Sequence, residues 1–201
     1  MMKNFFKIFS LTIFASVIAH GQSQVQVKAG SGIDIKKIEI QAQPTPIFQA
    51  GGVKDKKFKP RDWLEVEVTF EAKDVAPRDA VVPELLFRYY IGMMDEEGKV
   101  VVMTTDITHL NVEAGEETFS AVYVSPSTLG KLTGDFRSFN PNVIKGVGVE
   151  VYYNGVLVGG GVELTSKKFW EGQNPTAGVL SRSETPFGIL WIDRYADEKK
   201  K

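Results

Sequence analysis

His109 is the natural starting point for chemistry in this chain. The 201 residues contain only two histidines, His20 and His109, and no cysteine. A catalytic base needs an orienting partner and a nucleophile within reach. The flanking Thr108 and Leu110 supply no such set, and neither a Gly-x-Ser-x-Gly elbow nor a His-Glu-x-x-His pair occurs. We expect His109 to be structural or at the surface. The acids Asp95, Glu96 and Glu97 before Gly98 are consecutive. A calcium loop instead spaces its oxygen ligands alternately around a glycine kink. They read as a solvated turn, as do Glu113, Glu116 and Glu117. Nothing pairs two carboxylates as glycoside hydrolysis requires. Without cysteine there is no disulfide, no cysteine nucleophile and no thiolate metal site. The expectation is no catalytic residue, no metal and no cofactor, hence not an enzyme.

Two glycine clusters, Gly146-Val147-Gly148 and Gly159-Gly160-Gly161, invite a nucleotide reading. A phosphate loop joins a strand to a helix, so that backbone amides face the anion. Here both clusters lie between strand-forming residues, which instead marks bulges or close backbone packing. Aromatic side chains offer binding chemistry. Trp63, Trp170 and Trp191, with Phe136, Phe139 and Phe169, are candidates for stacking on sugar rings. Core packing is the expectation for Trp63 and Trp191. Trp170 follows Phe169 in a polar, glycine-containing stretch, so this pair is the candidate for exposed contact with a partner or a glycan.

The elements that position these residues are mostly strands. Ile33 to Ile40 alternates apolar and polar residues around Lys36-Lys37, which predicts a strand with a bulge. Gly51-Gly52 and the run Lys54-Asp55-Lys56-Lys57 read as a solvated loop. Leu64, Val66, Val68 and Phe70 alternate with Glu65, Glu67 and Thr69, the pattern of a half-buried antiparallel strand. Strands are also predicted over 85–94, 99–105, 108–112 and 118–124. Ser125-Pro126 matches an N-cap with proline at the first helical position, predicting a short helical turn. Val143 to Tyr153, Asn154-Gly155 and Val156 to Leu164 form a hairpin signal, because both residues of Asn-Gly tolerate positive φ. An edge position would let this hairpin accept a partner strand, but the expectation is an interior hairpin. Residues 165–183 lack periodicity, and 188–195 are read as a last strand. The sum is an all-β protein, an immunoglobulin-like antiparallel β-sandwich with one short helical turn, a closed barrel being the alternative.

The N-terminus reads as an export signal. Lys3 and Lys7 precede an apolar run from Ile8 to Ala19, followed by Ala19-His20-Gly21. That run lies within the roughly 7–15 residues of a signal peptide core and below the roughly 20 of a membrane span. The expected organisation is a signal peptide over 1–21, a flexible lead-in over 22–32, the sandwich domain over 33–195 and a charged tail over 196–201. No later segment is apolar enough for a transmembrane helix. Composition agrees with an exported globular domain: 43% hydrophobic, 24% charged and a net charge of −1. That balance argues against nucleic acid as a partner, and no basic tract favouring anionic lipid stands out.

Three stretches carry a family resemblance. They are Trp63-Leu64-Glu65-Val66-Glu67-Val68, then Thr108 to Val112 through Phe119 to Leu129, and Ser183-Glu184-Thr185-Pro186-Phe187 with Trp191, Asp193, Arg194 and Tyr195. Together the chain resembles the secreted immunoglobulin-like proteins of Akkermansia-type Verrucomicrobia, encoded beside type IV pilus genes. The resemblance implies a non-enzymatic domain of the periplasm or cell surface. Its partners would be proteins of a pilus or surface assembly. No pilin-type N-terminal helix is present, which implies an accessory factor and not the major subunit. The C-terminal motif is expected to pack back on the sandwich, with Pro186 fixing chain entry, Phe187 buried and Arg194 paired to Glu184 or Asp193.

Overall fold

The computed structural model describes residues 24–49, 51–52, 54 and 56–200. The expected signal peptide lies outside them. Eleven strands and one helix follow in the order β1 (Gln26–Val27), β2 (Ile33–Pro44), β3 (Asp62–Ala72), β4 (Val75–Ala76), β5 (Val81–Met94), β6 (Val100–Glu113), β7 (Glu117–Val124), α1 (Pro126–Thr133), β8 (Ile144–Tyr153), β9 (Val156–Glu163), β10 (Val179–Ser181) and β11 (Asp197–Glu198). One sheet has the order β10-β7-β3-β2, the other β11-β6-β5-β8-β9, and β1 pairs with β4. All these strand pairs are antiparallel.

Alternation explains the core. Leu64, Val66, Val68 and Phe70 of β3 face Leu85, Phe87, Tyr89 and Ile91 of β5 and Val147, Val149 and Val151 of β8, all fully buried or nearly so. Burying one large aliphatic or aromatic side chain contributes about 1.5–3 kcal/mol, so these rows supply the main driving force for stacking the sheets. The expected bulge in β2 is present, where the register shifts between Ile35 and Lys37. The hairpin turn also forms, with Asn154 and Gly155 at φ 49° and 78°. Ser125 caps α1 by accepting from the Thr128 amide at 3.2 Å. Gly134, at φ 74°, ends it by donating to the Gly130 carbonyl at 3.0 Å.

Several expectations are corrected. The separate strands at 99–105 and 108–112 are one continuous strand, β6, because β5 pairs with it from Val100 to Glu113. The lead-in is tied down: Gln26–Val27 pairs with Val75–Ala76, and Tyr153 donates to the Val25 carbonyl at 3.1 Å. Within the charged tail, Asp197 and Glu198 pair with Leu110 and His109. The last strand expected over 188–195 is instead two 3-10 turns, Pro186–Ile189 and Ile192–Arg194, because Pro186 and the left-handed Trp191 interrupt extended backbone.

Two lengths of chain cross the outer faces of the sandwich. Residues 164–178 leave β9, run over the five-stranded sheet and reach the β6 side, where Thr176 exchanges backbone bonds with Val102 and Thr104 at 2.9 Å. After β10, residues 182–196 cross the four-stranded sheet and return to β6 through β11.

Candidate binding surfaces

The outer row of β3 is sealed. Alternation alone would place Glu65 and Glu67 in solvent, yet they are 2% and 6% exposed. The C-terminal segment covers them. Glu65 accepts from the Tyr123 hydroxyl at 2.7 Å and from the Gln41 amide. Glu67 accepts from Arg194 Nη2 at 2.6 Å and from the Tyr195 hydroxyl. Burial, and then the neighbouring carboxylates, push the Tyr123 and Tyr195 hydroxyls well above the usual phenol range. Phe187 stacks on Tyr123 at 4.6 Å and meets Trp63 edge-on at 5.7 Å. The Arg182 guanidinium lies over Tyr195, while its Nη1 donates to the carbonyls of Phe187, Gly188 and Leu190.

The C-terminal motif residues divide accordingly. Phe187, Arg194 and Tyr195 grip the sheet. Thr185 caps the turn begun by Pro186, accepting from the Phe187 amide at 3.2 Å. Glu184 accepts from the Ser181 amide at 2.8 Å. The partner expected for Arg194 is corrected: it bonds Glu67, 127 positions away, because the segment folds over β3 instead of onto itself. Asp193 is exposed. Trp191, expected in the core, is 54% exposed and adopts left-handed backbone at φ 49°. Its exposure follows from the 3-10 turn, which aims Phe187 inward and leaves Ile189, Trp191 and Ile192 in solvent.

The five-stranded sheet carries the opposite relief. Gly92 pairs with Gly146, and Tyr90 with Gly148, leaving a slot without side chains across β5 and β8. Trp170 lies in it, stacked on Tyr90 at 4.4 Å with nearly parallel rings, and Phe169 covers Gly92 and Gly146. A Cβ on Gly148 would overlap the Trp170 ring, and one on Gly146 would lie 2.8 Å from Phe169. Trp170 is thus only 7% exposed. This corrects the expectation of an exposed aromatic contact and removes the stacking face that a glycan at Trp170 would need. Phe169 is half-buried in the same slot. The glycines do mark close packing, but of aromatic rings.

Beside the slot lies a polar margin. Glu150 accepts from Lys168 at 2.7 Å, Tyr152 at 2.8 Å and Tyr90 at 3.3 Å. Burial alone would raise its pKa; the bonds from Lys168 and the tyrosines outweigh that and hold it below the usual range. Burial and Glu150 raise the Tyr152 hydroxyl to about 12. Arg88 and Asp106 form a two-bond pair at 2.8 Å each.

His109 sits inside the sandwich, 1% exposed. Tyr89 donates to Ser120 Oγ at 2.6 Å, and Ser120 Oγ lies 2.6 Å from His109 Nε2. His109 Nδ1 faces the Asp197 carbonyl at 3.3 Å. The carbonyl requires Nδ1 to carry the proton, so Nε2 accepts from Ser120 and the chain is neutral and satisfied. A serine–histidine contact is one component of nucleophilic catalysis, but this one is closed to solvent, and a backbone carbonyl stands where an orienting carboxylate would be. Burial lowers the His109 pKa to about 4. Among the described residues no group of three or more histidine, aspartate or glutamate side chains gathers as a metal site. Among them, too, no helix is long and apolar enough to cross a membrane.

The hairpin expected inside the sheet is only half interior. β8 lies between β5 and β9, but β9 is the edge and pairs with β8 alone. Its Gly159 abuts the Ile33 carbonyl, closing the sandwich there, and the Gly30 amide bonds the Leu157 carbonyl. Beyond that, Gly160 to Glu163 has no further strand beside it among the described residues. Next to this edge is a groove of about 360 Å³, lined by Leu157, Gly160, Val162, Lys168 and the rim of Trp170. The other long edge, β2, carries Lys36, Lys37 and Glu39 and a bulge, devices that discourage strand pairing.

With β2, β3 and β7 in one sheet and β9, β8, β5 and β6 in the other, the strand order defines an immunoglobulin-like sandwich whose fourth long strand has joined the second sheet. A protein-family model matches residues 23–201, and the chain belongs to that family. Its structure is similar to a crystal structure of a protein from Akkermansia muciniphila, with a TM-score of 0.75 and 26% sequence identity, covering 89% of this chain and 96% of that one. No curated protein matches the sequence.

Proposed function

We propose that this protein is an exported, non-enzymatic binding module of the periplasm or cell surface. It acts as an accessory in a type IV pilus-associated or other surface assembly by holding an extended segment of a protein partner along β9. The open edge of β9 carries this reading. Its open stretch holds no charge from Gly160 to Val162 and meets one only at Glu163, and charges are what native edges use against added strands. Strand addition draws affinity from main-chain hydrogen bonds and specificity from neighbouring pockets, and the groove beside Val162 supplies such a pocket. The likeness to an Akkermansia muciniphila protein and the signal-like N-terminus support an exported surface role.

The test is crosslinking in intact cells with a photoreactive residue at Val162, followed by identification of what is joined. Capture of pilus or secretion-channel components, lost on Gly160→Pro in protein that still folds, is the expected result. Capture of glycans alone, or of proteins whose yield is unchanged by Gly160→Pro, overturns the reading.

A further inference from the structure

The β2–β3 connection, residues 45–61, gathers cations. It holds Lys54, Lys56, Lys57, Lys59 and Arg61 against one acid, in a chain whose net charge is −1. The described lysines and Arg61 are exposed. Read as sequence, the lysines are an ordinary solvated loop. Three large apolar side chains share that loop with them: Ile47, Phe48 and Phe58, at 65%, 51% and 54% exposure. A loop that only needs solubility has no use for three exposed apolar side chains among its cations.

Its base is fixed. The Thr45 amide and hydroxyl both donate to the Arg61 carbonyl at 2.9 Å, and Trp63 Nε1 donates to Thr45 Oγ1 at 3.0 Å. The surface continues beyond the loop. After α1, Phe136 and Arg137 lie beside Arg61 around a shared surface depression, and Phe136 is half in solvent. Two acids line the depression, Asp62 and Asp135, and Asp135 is already engaged by the Arg137 and Ser138 amides and the Ser138 hydroxyl. The acidic turn at Asp95–Glu97 comes from the opposite sheet but adjoins the end of α1, where the Glu96 amide donates to the Leu132 carbonyl at 3.0 Å, and it bounds this surface on that side.

We propose that this end of the sandwich docks the protein onto an anionic phospholipid surface. Cations interspersed with exposed phenylalanine and isoleucine match a bilayer interface, where phosphates meet the lysines and acyl chains receive the rings. A soluble polyanion would engage the lysines and leave the apolar side chains without a role. Each lysine or arginine near such a surface adds to the attraction, so the cluster suits reversible, salt-sensitive binding. This site lies on a loop apart from β9, and the proposal does not depend on strand addition.

Sedimentation of the full mature chain with vesicles tests it. Vesicles of phosphatidylcholine alone are compared with vesicles containing phosphatidylglycerol. Roughly tenfold stronger binding to the anionic vesicles, weakened by salt, is expected. Lys54→Glu with Lys56→Glu and Lys57→Glu should abolish it, and Phe48→Ser with Phe58→Ser should weaken it severalfold. All are loop substitutions, so circular dichroism and crosslinking through Val162 should be unchanged. Equal binding to both vesicles, no binding, or binding indifferent to the phenylalanine substitutions overturns the proposal. The last result would mean that the loop reads only charge.

Discussion

The two outer faces of the sandwich are both crossed by the chain's own later residues, yet they are sealed by opposite means. On the four-stranded sheet the covering segment meets protruding side chains. Glu65, Glu67, Tyr123 and Trp63 rise from the strands, and Phe187, Arg194 and Tyr195 come down on them with hydrogen bonds and ring contacts. On the five-stranded sheet the strands present an absence. Gly92, Gly146 and Gly148 leave a slot, and Phe169 and Trp170 fill it by shape. The first solution commits buried carboxylates, which become costly if their partners leave. The second commits a single buried carboxylate at its margin, Glu150 paired with Lys168, and its groove opens beside β9. One face is closed by the C-terminus through hydrogen bonds; the other is closed by rings set into a glycine slot, with the β9 edge open beside it.

Truncation after Ser181 should break this contrast most severely. It strips the cover from Glu65, Glu67 and Tyr123 together and removes β11 from β6. We expect loss of cooperative unfolding, read by calorimetry; a stable, fully folded truncated chain would show that the C-terminal segment is dispensable. Next is the slot. Trp170→Ala should cost about 3–5 kcal/mol in urea titration, the usual range for a buried tryptophan. Gly148→Val should lose at least about 1–3 kcal/mol by expelling the same ring. If Gly148→Val were neutral, the slot would not be what seats Trp170. The last effect is one of pH and is graded across the acid range. His109 has a folded pKa of about 4 against an ordinary 6.5, so the folded state binds fewer protons. Its contribution is intact above pH 6.5 and is lost as pH falls towards about 4, up to about 3 kcal/mol. Because Nδ1 already carries its proton, acid protonates Nε2, which faces Ser120 of β7, and should loosen the contact between β6 and the four-stranded sheet before the aromatic slot. Hydrogen exchange at pH 7 and pH 4.5, in wild type and His109→Gln, reads the order. Equal loosening of both faces would remove the distinction.

Much of the frame was legible in the residues. Alternation in β3, the Lys36-Lys37 bulge, the Asn154-Gly155 turn and the Ser125-Pro126 cap each depend on neighbours a few positions away, and local sterics and hydrogen bonding decide them. The surfaces were not legible in the same way. Trp170 and Trp191 exchanged places relative to expectation, the first buried and the second exposed. Hydrophobicity says that a tryptophan favours burial, but only the approach of a distant strand says whether room exists. Gly148 makes that room for Trp170, and the 3-10 turn at Pro186 gives the inward place to Phe187 instead of Trp191.

Sequence by itself determined an all-β chain with an apolar row on each main strand, a capped helical turn, one strong hairpin and a signal-like N-terminus. Those properties follow from side-chain periodicity and backbone preference, which act over a few residues. Tertiary structure alone decided that Glu67 meets Arg194, that glycines receive aromatic rings, and that β9 rather than β2 is left with an uncharged open stretch, Gly160 to Val162. Each of these joins residues far apart in the chain. Their energies arise only when the sheets have stacked, excluded water and fixed which face each segment must cover.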